Sequence, residues 1–199
     1  MSSTRFRGSG FVVCAFLAVI ALTPWCVVPA HGLTWEGWDP NAETWTDPAN
    51  WIPESAPAAS DLLVFDGMWL NADTAWTIAG GGISVTDATI DFLHGLVVSE
   101  GSVTVGSGGW LKGLSALYDG SITLSGGGDV TGLTYLDGSV TAGVGSSLGS
   151  NVTVGSNGHV TLNGGGMSIS VIDGVVEAHG SSAGIGGGYG ATLEINGRL

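Results

Sequence analysis

The chain has 199 residues, with 17 acidic against 4 basic side chains and a formal net charge of −13. Disordered chains pair low hydrophobicity with high charge, and here 44% hydrophobic residues stand beside only 11% charged ones, so a folded protein is expected. So acidic a chain has nothing with which to neutralise phosphates, which excludes nucleic acid and anionic membrane surfaces as partners.

Residues 1–32 read as a secretory signal peptide. Arg5 and Arg7 precede an apolar run over 11–22, and Ala30 and Gly32 fit the −3 and −1 places of a cut after Gly32. A cut after Ala30 competes. The run is too short for a spanning helix. Phe6 between the arginines argues against a twin-arginine signal, and Trp25 before Cys26 argues against a lipid anchor. Both cysteines, Cys14 and Cys26, leave with the leader, so no disulfide is expected. Lys112 and Arg198 then face 17 acids, a net charge of −15. No transmembrane helix is expected in the mature chain.

Residues 33–79 form a tryptophan- and proline-rich segment, read as an irregular cap. Trp35, Trp38, Trp45, Trp51, Trp69 and Trp76 are interspersed with Pro40, Pro48, Pro53 and Pro57, which rule out a long helix. The stretch 62–67 reads as a buried strand ending in a turn. Packing at one end of the fold accounts for such tryptophans. The alternative is that these six indoles stack on sugar rings, because aromatic faces suit the apolar face of a pyranose.

The pattern Trp35-x-Gly37, Thr44-Trp45-x-Asp47-x-x-Asn50-Trp51, a proline-bearing spacer and Asp61-x-x-Val64-Phe65-Asp66-Gly67 resembles the opening of a known protein family. These are large bacterial surface proteins with autotransporter-associated β-strand repeats. The phrase from Gly190 to Gly197 is similar to that family's repeat. The resemblance implies a secreted or cell-surface protein of a Gram-negative-type bacterium. Such proteins usually continue into many more repeats and a C-terminal barrel or sorting tail, and neither is read in these 199 residues.

Residues 80–199 read as a glycine-rich array. A short phrase recurs at 100–104 (Glu-Gly-Ser-Val-Thr), 119–123, 137–141, 157–161, 173–177 and 196–199, at intervals of 16 to 23 residues. Glycine clusters alternate with β-branched runs such as Ser102-Val103-Thr104-Val105, whose period-two alternation marks half-buried strands. A period near twenty suits a β-solenoid coil, whereas propeller blades need about forty. An all-β solenoid of five or so coils is expected, a right-handed parallel β-helix, with a β-sandwich as the alternative. The Asp-Gly and Asn-Gly pairs fit the corners, with glycine where φ must be positive. The last phrase stops short at Leu199, which suggests an unfinished array with an exposed edge.

Candidate chemistry is sparse. Asp119 and Asp137 on neighbouring coils offer a carboxylate pair of the kind used in glycoside hydrolysis. The same place holds Glu, Asp or Asn along the array, however, which suits a turn better. A polysaccharide lyase needs a basic proton acceptor, and Lys112 and Arg198 are the only ones available. His94, His159 and His179 are scattered, against a zinc site. The stretch Gly187-Gly188-Tyr189-Gly190-Ala191 carries Thr192 where a calcium nonapeptide needs Asp. No catalytic residue, cofactor or specific metal is therefore expected, and only weak, nonspecific Ca2+ binding suits the acidic surface. The sequon at Asn151-Val152-Thr153 reads as chance. The expected function is that of an exported structural or adhesive rod, without enzymatic activity, touching extracellular polysaccharide or another surface protein. The alternative is a carbohydrate-binding or polysaccharide-degrading β-helix.

Overall fold

Alternating apolar and polar residues place every second side chain on one side of a strand. In this chain that side is the inside of a coil. The computed structural model describes residues 32–37, 45–186 and 194–195. Among them the elements are strands, apart from a three-residue 3-10 turn at Pro48–Asn50. Parallel strands about 19 residues apart stack into a β-solenoid of about 7 turns. At the usual strand spacing that stack is roughly 34 Å long. The expected five or so coils were an undercount, because the coils entered at Asp61 and Gly81 lack the recurring phrase. No helix among the described residues is long and apolar enough to cross a membrane.

Each coil has three faces. The first begins with Gly32–Trp35, Leu62–Asp66, Gly82–Thr86 and Ser102–Val105. It continues through 121–124, 139–142, His159–Asn163 and Val175–His179. The second runs from Trp69–Ala72 through 89–92, 110–112, Asp129–Val130, 147–148 and 166–168 to Gly184–Gly186. The third runs from Trp76–Ala79 through 96–99, 114–118, 135–137, 152–154 and 169–172 to Glu194–Ile195. Thr89–Ser99 and Trp110–Leu124 pass from the second face to the third without a break. Gly95 (φ 94°) and Gly113 (φ 79°) make that bend, in a region where a Cβ is strained.

The first face is the most regular. Leu33, Leu63, Ile83, Val103, Ile122, Val140, Val160 and Val176 pair in succession as one inward column, and all are buried. Phe65, Val85, Val105, Leu124, Ala142 and Leu162 form a second inward column. Burying each large aliphatic side chain contributes about 1.5–3 kcal/mol. The outward positions flanking the first inward column carry Ser102, Ser121 and Ser139 on one side, followed by His159, and Thr104, Thr123, Thr141 and Thr161 on the other, followed by Glu177.

The corner glycines correct one expectation. Where the chain turns into the first face, positive φ belongs to the residue before the glycine, at Glu100 (φ 55°) and Asp119 (φ 49°). Gly101, Gly120 and Gly138 lie outside the left-handed region. They are needed for space, because the backbone of the preceding coil passes directly beneath them.

The stack reaches back into the tryptophan-rich segment. Leu62–Asp66 pairs in parallel with Gly82–Thr86, and Gly32–Trp35 pairs in parallel with 62–64. On its other side, among the described residues, Gly32–Trp35 pairs with the two-residue antiparallel strand Trp51–Ile52. Pro53 follows and has no N–H to extend the ladder, so this short strand ends there.

Candidate functional site

The tryptophans divide by exposure. Trp45 and Trp51 are enclosed, at 2% and 1% exposure. The Trp45 Nε1–H donates to Thr74 Oγ1 (2.9 Å), and the Trp51 Nε1–H donates to the Trp45 carbonyl (2.8 Å). Trp35 and Trp76 are partly buried against the same core. Edge-to-face contacts join Trp35 to Trp51 (5.2 Å), Trp45 to Trp76 (4.7 Å), Trp45 to Phe92 (5.5 Å) and Trp51 to Phe65 (5.4 Å). Such pairs stabilise beyond their buried area. Trp45 and Trp51 therefore have no face to offer a sugar, and the cluster is part of the core, packed on Phe65 and Phe92. Trp38 lies outside the described residues.

Trp69 is different, at 72% exposure on the second face. Register adds a residue that the sequence reading passed over. Trp69 pairs with Thr89, and Thr89 pairs with Trp110, so the two indoles share one outward column. Two coils separate them, about 9.6 Å at the usual spacing. Trp110 is 41% exposed. The signal was available in the chain, because Trp69, Thr89 and Trp110 recur at close to the coil period. A search for clustered tryptophans could not see it.

The neighbouring outward column of the same face holds Asn71, Asp91 and Lys112. Lys112 Nζ sits 4.0 Å from the centre of the Trp110 ring. A cation–π contact at an exposed site contributes about 0.5–1 kcal/mol, so the ammonium is easily displaced. Beyond Trp69, toward the N-terminal end, lies a cleft of about 520 Å³ whose lining includes Thr34, Trp35, Glu36, Asp66 and Trp69.

The other candidates are not assembled for catalysis. Asp119 and Asp137 lie on adjacent coils but out of register, since Asp137 stands opposite Tyr118. The Asp137 carboxylate accepts hydrogen bonds from Asn157 N–H (2.9 Å) and Asn157 Nδ2 (3.2 Å), bracing the next corner. Tyr118 and Tyr135 form an outward pair with ring centroids 5.4 Å apart. Desolvation, followed by the charges of Asp137, Tyr118 and Asp173, raises the Tyr135 phenol above its ordinary 10.0. His94, His159 and His179 are all exposed, on three separate elements, and His179 Nε2 lies 3.7 Å from Glu177 Oε2. Among the described residues no group of three or more His, Cys, Asp or Glu side chains could hold a metal ion. The glycine stretch from Gly187 and Arg198 lie outside the described residues.

Compared with known proteins, the chain matches no family model, no curated protein and no solved structure.

Proposed function

We propose that the protein is an exported structural and adhesive rod of the bacterial cell surface or its surrounding matrix. The observation that carries this reading is the first face, where one apolar column runs unbroken inside and Ser and Thr columns run outside it. Stacked coils of this kind bond each strand to its neighbours, which favours durability and a repetitive contact surface. Through Ser102, Ser121 and Thr104, Thr123, Thr141 the outward hydroxyls have hydroxyls on the following coil, which suits contact rather than catalysis; toward the C-terminal end Ser139 meets His159 and Thr161 meets Glu177. The leader over 1–32 and the resemblance to surface proteins with autotransporter-associated β-strand repeats support the setting. A carbohydrate-binding role is a second reading, favoured by the exposed Trp69.

Expression in a Gram-negative host, fractionation and N-terminal sequencing test the proposal. The expected product lies outside the cytoplasm and begins at Leu33, or at His31 for a cut after Ala30. It releases no reducing ends from plant, algal or bacterial polysaccharides. A chain retained uncut in the cytoplasm, or one that depolymerises a polysaccharide, would overturn it.

A further inference from the structure

We infer that the second face carries a binding track for a neutral, extended polysaccharide, with Trp69 and Trp110 as its stacking platforms. The inference deepens the adhesive part of the proposed function and names the site that would supply it. Trp69 and Trp110 stand in one outward column with only the small Thr89 between them. Their separation of about 9.6 Å runs along the stack. An extended β-linked glycan presents the same face of its sugars at a comparable repeat, that of every second ring. One chain lying along the rod therefore meets both indoles while its intervening ring passes over Thr89.

The adjacent column matches the equatorial rim of such a chain. Asn71 supplies both donors and an acceptor, Asp91 accepts, and Lys112 donates, one group per coil. The cleft beyond Trp69 continues the track, with Glu36 and Asp66 as further acceptors for hydroxyl groups. The charge of the face selects among glycans. Along the track three acids, Glu36 and Asp66 in the cleft beside Trp69 and Asp91 next to Lys112, stand against one cation, Lys112, whose ammonium already lies over Trp110. A uronate polymer meets net repulsion there, whereas a neutral polymer does not. The site is an open face and not an enclosed pocket, which suits a polymer surface better than a free small sugar.

The test is depletion of the purified chain by insoluble cellulose, chitin and β-mannan, with alginate and pectate beads as acidic counterparts. The wild-type chain is expected to bind at least one neutral polymer and neither acidic one. Trp69→Ala and Trp110→Ala should each weaken binding about tenfold or more, as truncation of a central aromatic anchor does. The double variant should lose binding while keeping the wild-type circular dichroism. Both side chains are exposed, so the fold should survive. Trp45→Phe serves as a second control and should leave binding unchanged. No binding to any neutral polymer, equal binding by the double variant, or a preference for alginate or pectate overturns the inference. So does wild-type self-association that Trp69→Ala abolishes without any glycan binding, since the column would then be a contact between copies. Each of these outcomes leaves the rod reading standing. Cytoplasmic retention or polysaccharide cleavage, by contrast, defeats the rod reading and not the track.

Discussion

The carbonyl oxygen of Gly101 lies 2.6 Å from the point where a Cβ on Gly120 would stand, one coil further along. Gly138 repeats the relationship with the Gly120 oxygen at 2.5 Å. These glycines are required by their neighbours and not by their own φ, and they let successive corners stack without displacing the strands that follow. The hydrogen bond from Ser121 N–H to the Gly101 carbonyl (2.9 Å) depends on that closeness.

Gly120→Ala is therefore expected to push two coils apart and cost about 1–3 kcal/mol, the range for overpacking a close contact. Gly184→Ala is the matched control. It lies outside the left-handed region, and a Cβ there meets nothing within 4 Å. Its effect should stay within about 0.5 kcal/mol. Urea unfolding followed by far-ultraviolet circular dichroism separates the two, and equal midpoints would contradict the spatial role assigned to Gly120.

The inward column makes a second prediction, on two adjacent residues of one strand. Ile122 is buried between Val103 and Val140, whereas Thr123 faces solvent between Thr104 and Thr141. Ile122→Ala should cost about 2–5 kcal/mol, from lost burial together with the cavity left in the stack. Thr123→Ala should change stability by about 0.5 kcal/mol or less. Similar losses at the two positions would mean that the column does not carry the fold.

How much of this was legible from the chain differs by element. Ser102-Val103-Thr104-Val105 announces its inward and outward sides by alternation alone, so the solenoid was readable. The first coil was not, because Leu62-Leu63-Val64-Phe65 is apolar at every position and carries no corner phrase. Its role appears only when Leu63 pairs with Ile83. The glycine of each Asp-Gly pair was visible but its cause was hidden, since a clash with Gly101 is a fact about another coil. Of the candidate binding track, Trp69 was named among six tryptophans, but nothing local distinguished it from the enclosed Trp45. Trp110 was readable as a partner only through the coil period, and the register sets it two places along from Trp69.

Indole exposure gives a third prediction. Trp45 and Trp51 are enclosed, and Trp69 and Trp110 stand open on the second face. Iodide or acrylamide should quench a distinct fraction of the tryptophan fluorescence. The double substitution Trp69→Phe and Trp110→Phe should remove most of that accessible fraction. Trp51→Phe should spare the quenching but lower stability, because the hydrogen bond from Nε1 to the Trp45 carbonyl is lost from a packed aromatic cluster. Quenching that persists undiminished in the double variant would place the exposed indoles elsewhere.

The tyrosine pair makes the fourth prediction, in the alkaline range. Tyr135 lies against Tyr118, and its phenol is raised above 10.0 first by desolvation and then by Asp137, Tyr118 and Asp173. In the unfolded chain the same phenol ionises at its ordinary value. As pH climbs past 10.0, the unfolded state therefore loses the proton first, and the equilibrium shifts toward unfolding. The stabilisation attached to the neutral phenol is complete below that pH and disappears as pH rises through the folded value. Tyr135→Phe removes a titrating group, so its stability should fall less steeply than wild type above pH 10.0. Asp137→Asn keeps an acceptor for the Asn157 N–H while removing one carboxylate from the phenol's surroundings. It should lower the folded phenol toward its ordinary value, at the loss of the second bond to the corner, the one from Asn157 Nδ2. Phenolate absorbance titrations of the three proteins read this directly. A Tyr135→Phe variant that loses a phenol titrating at or below 10.0 would contradict the electrostatic environment described for this face.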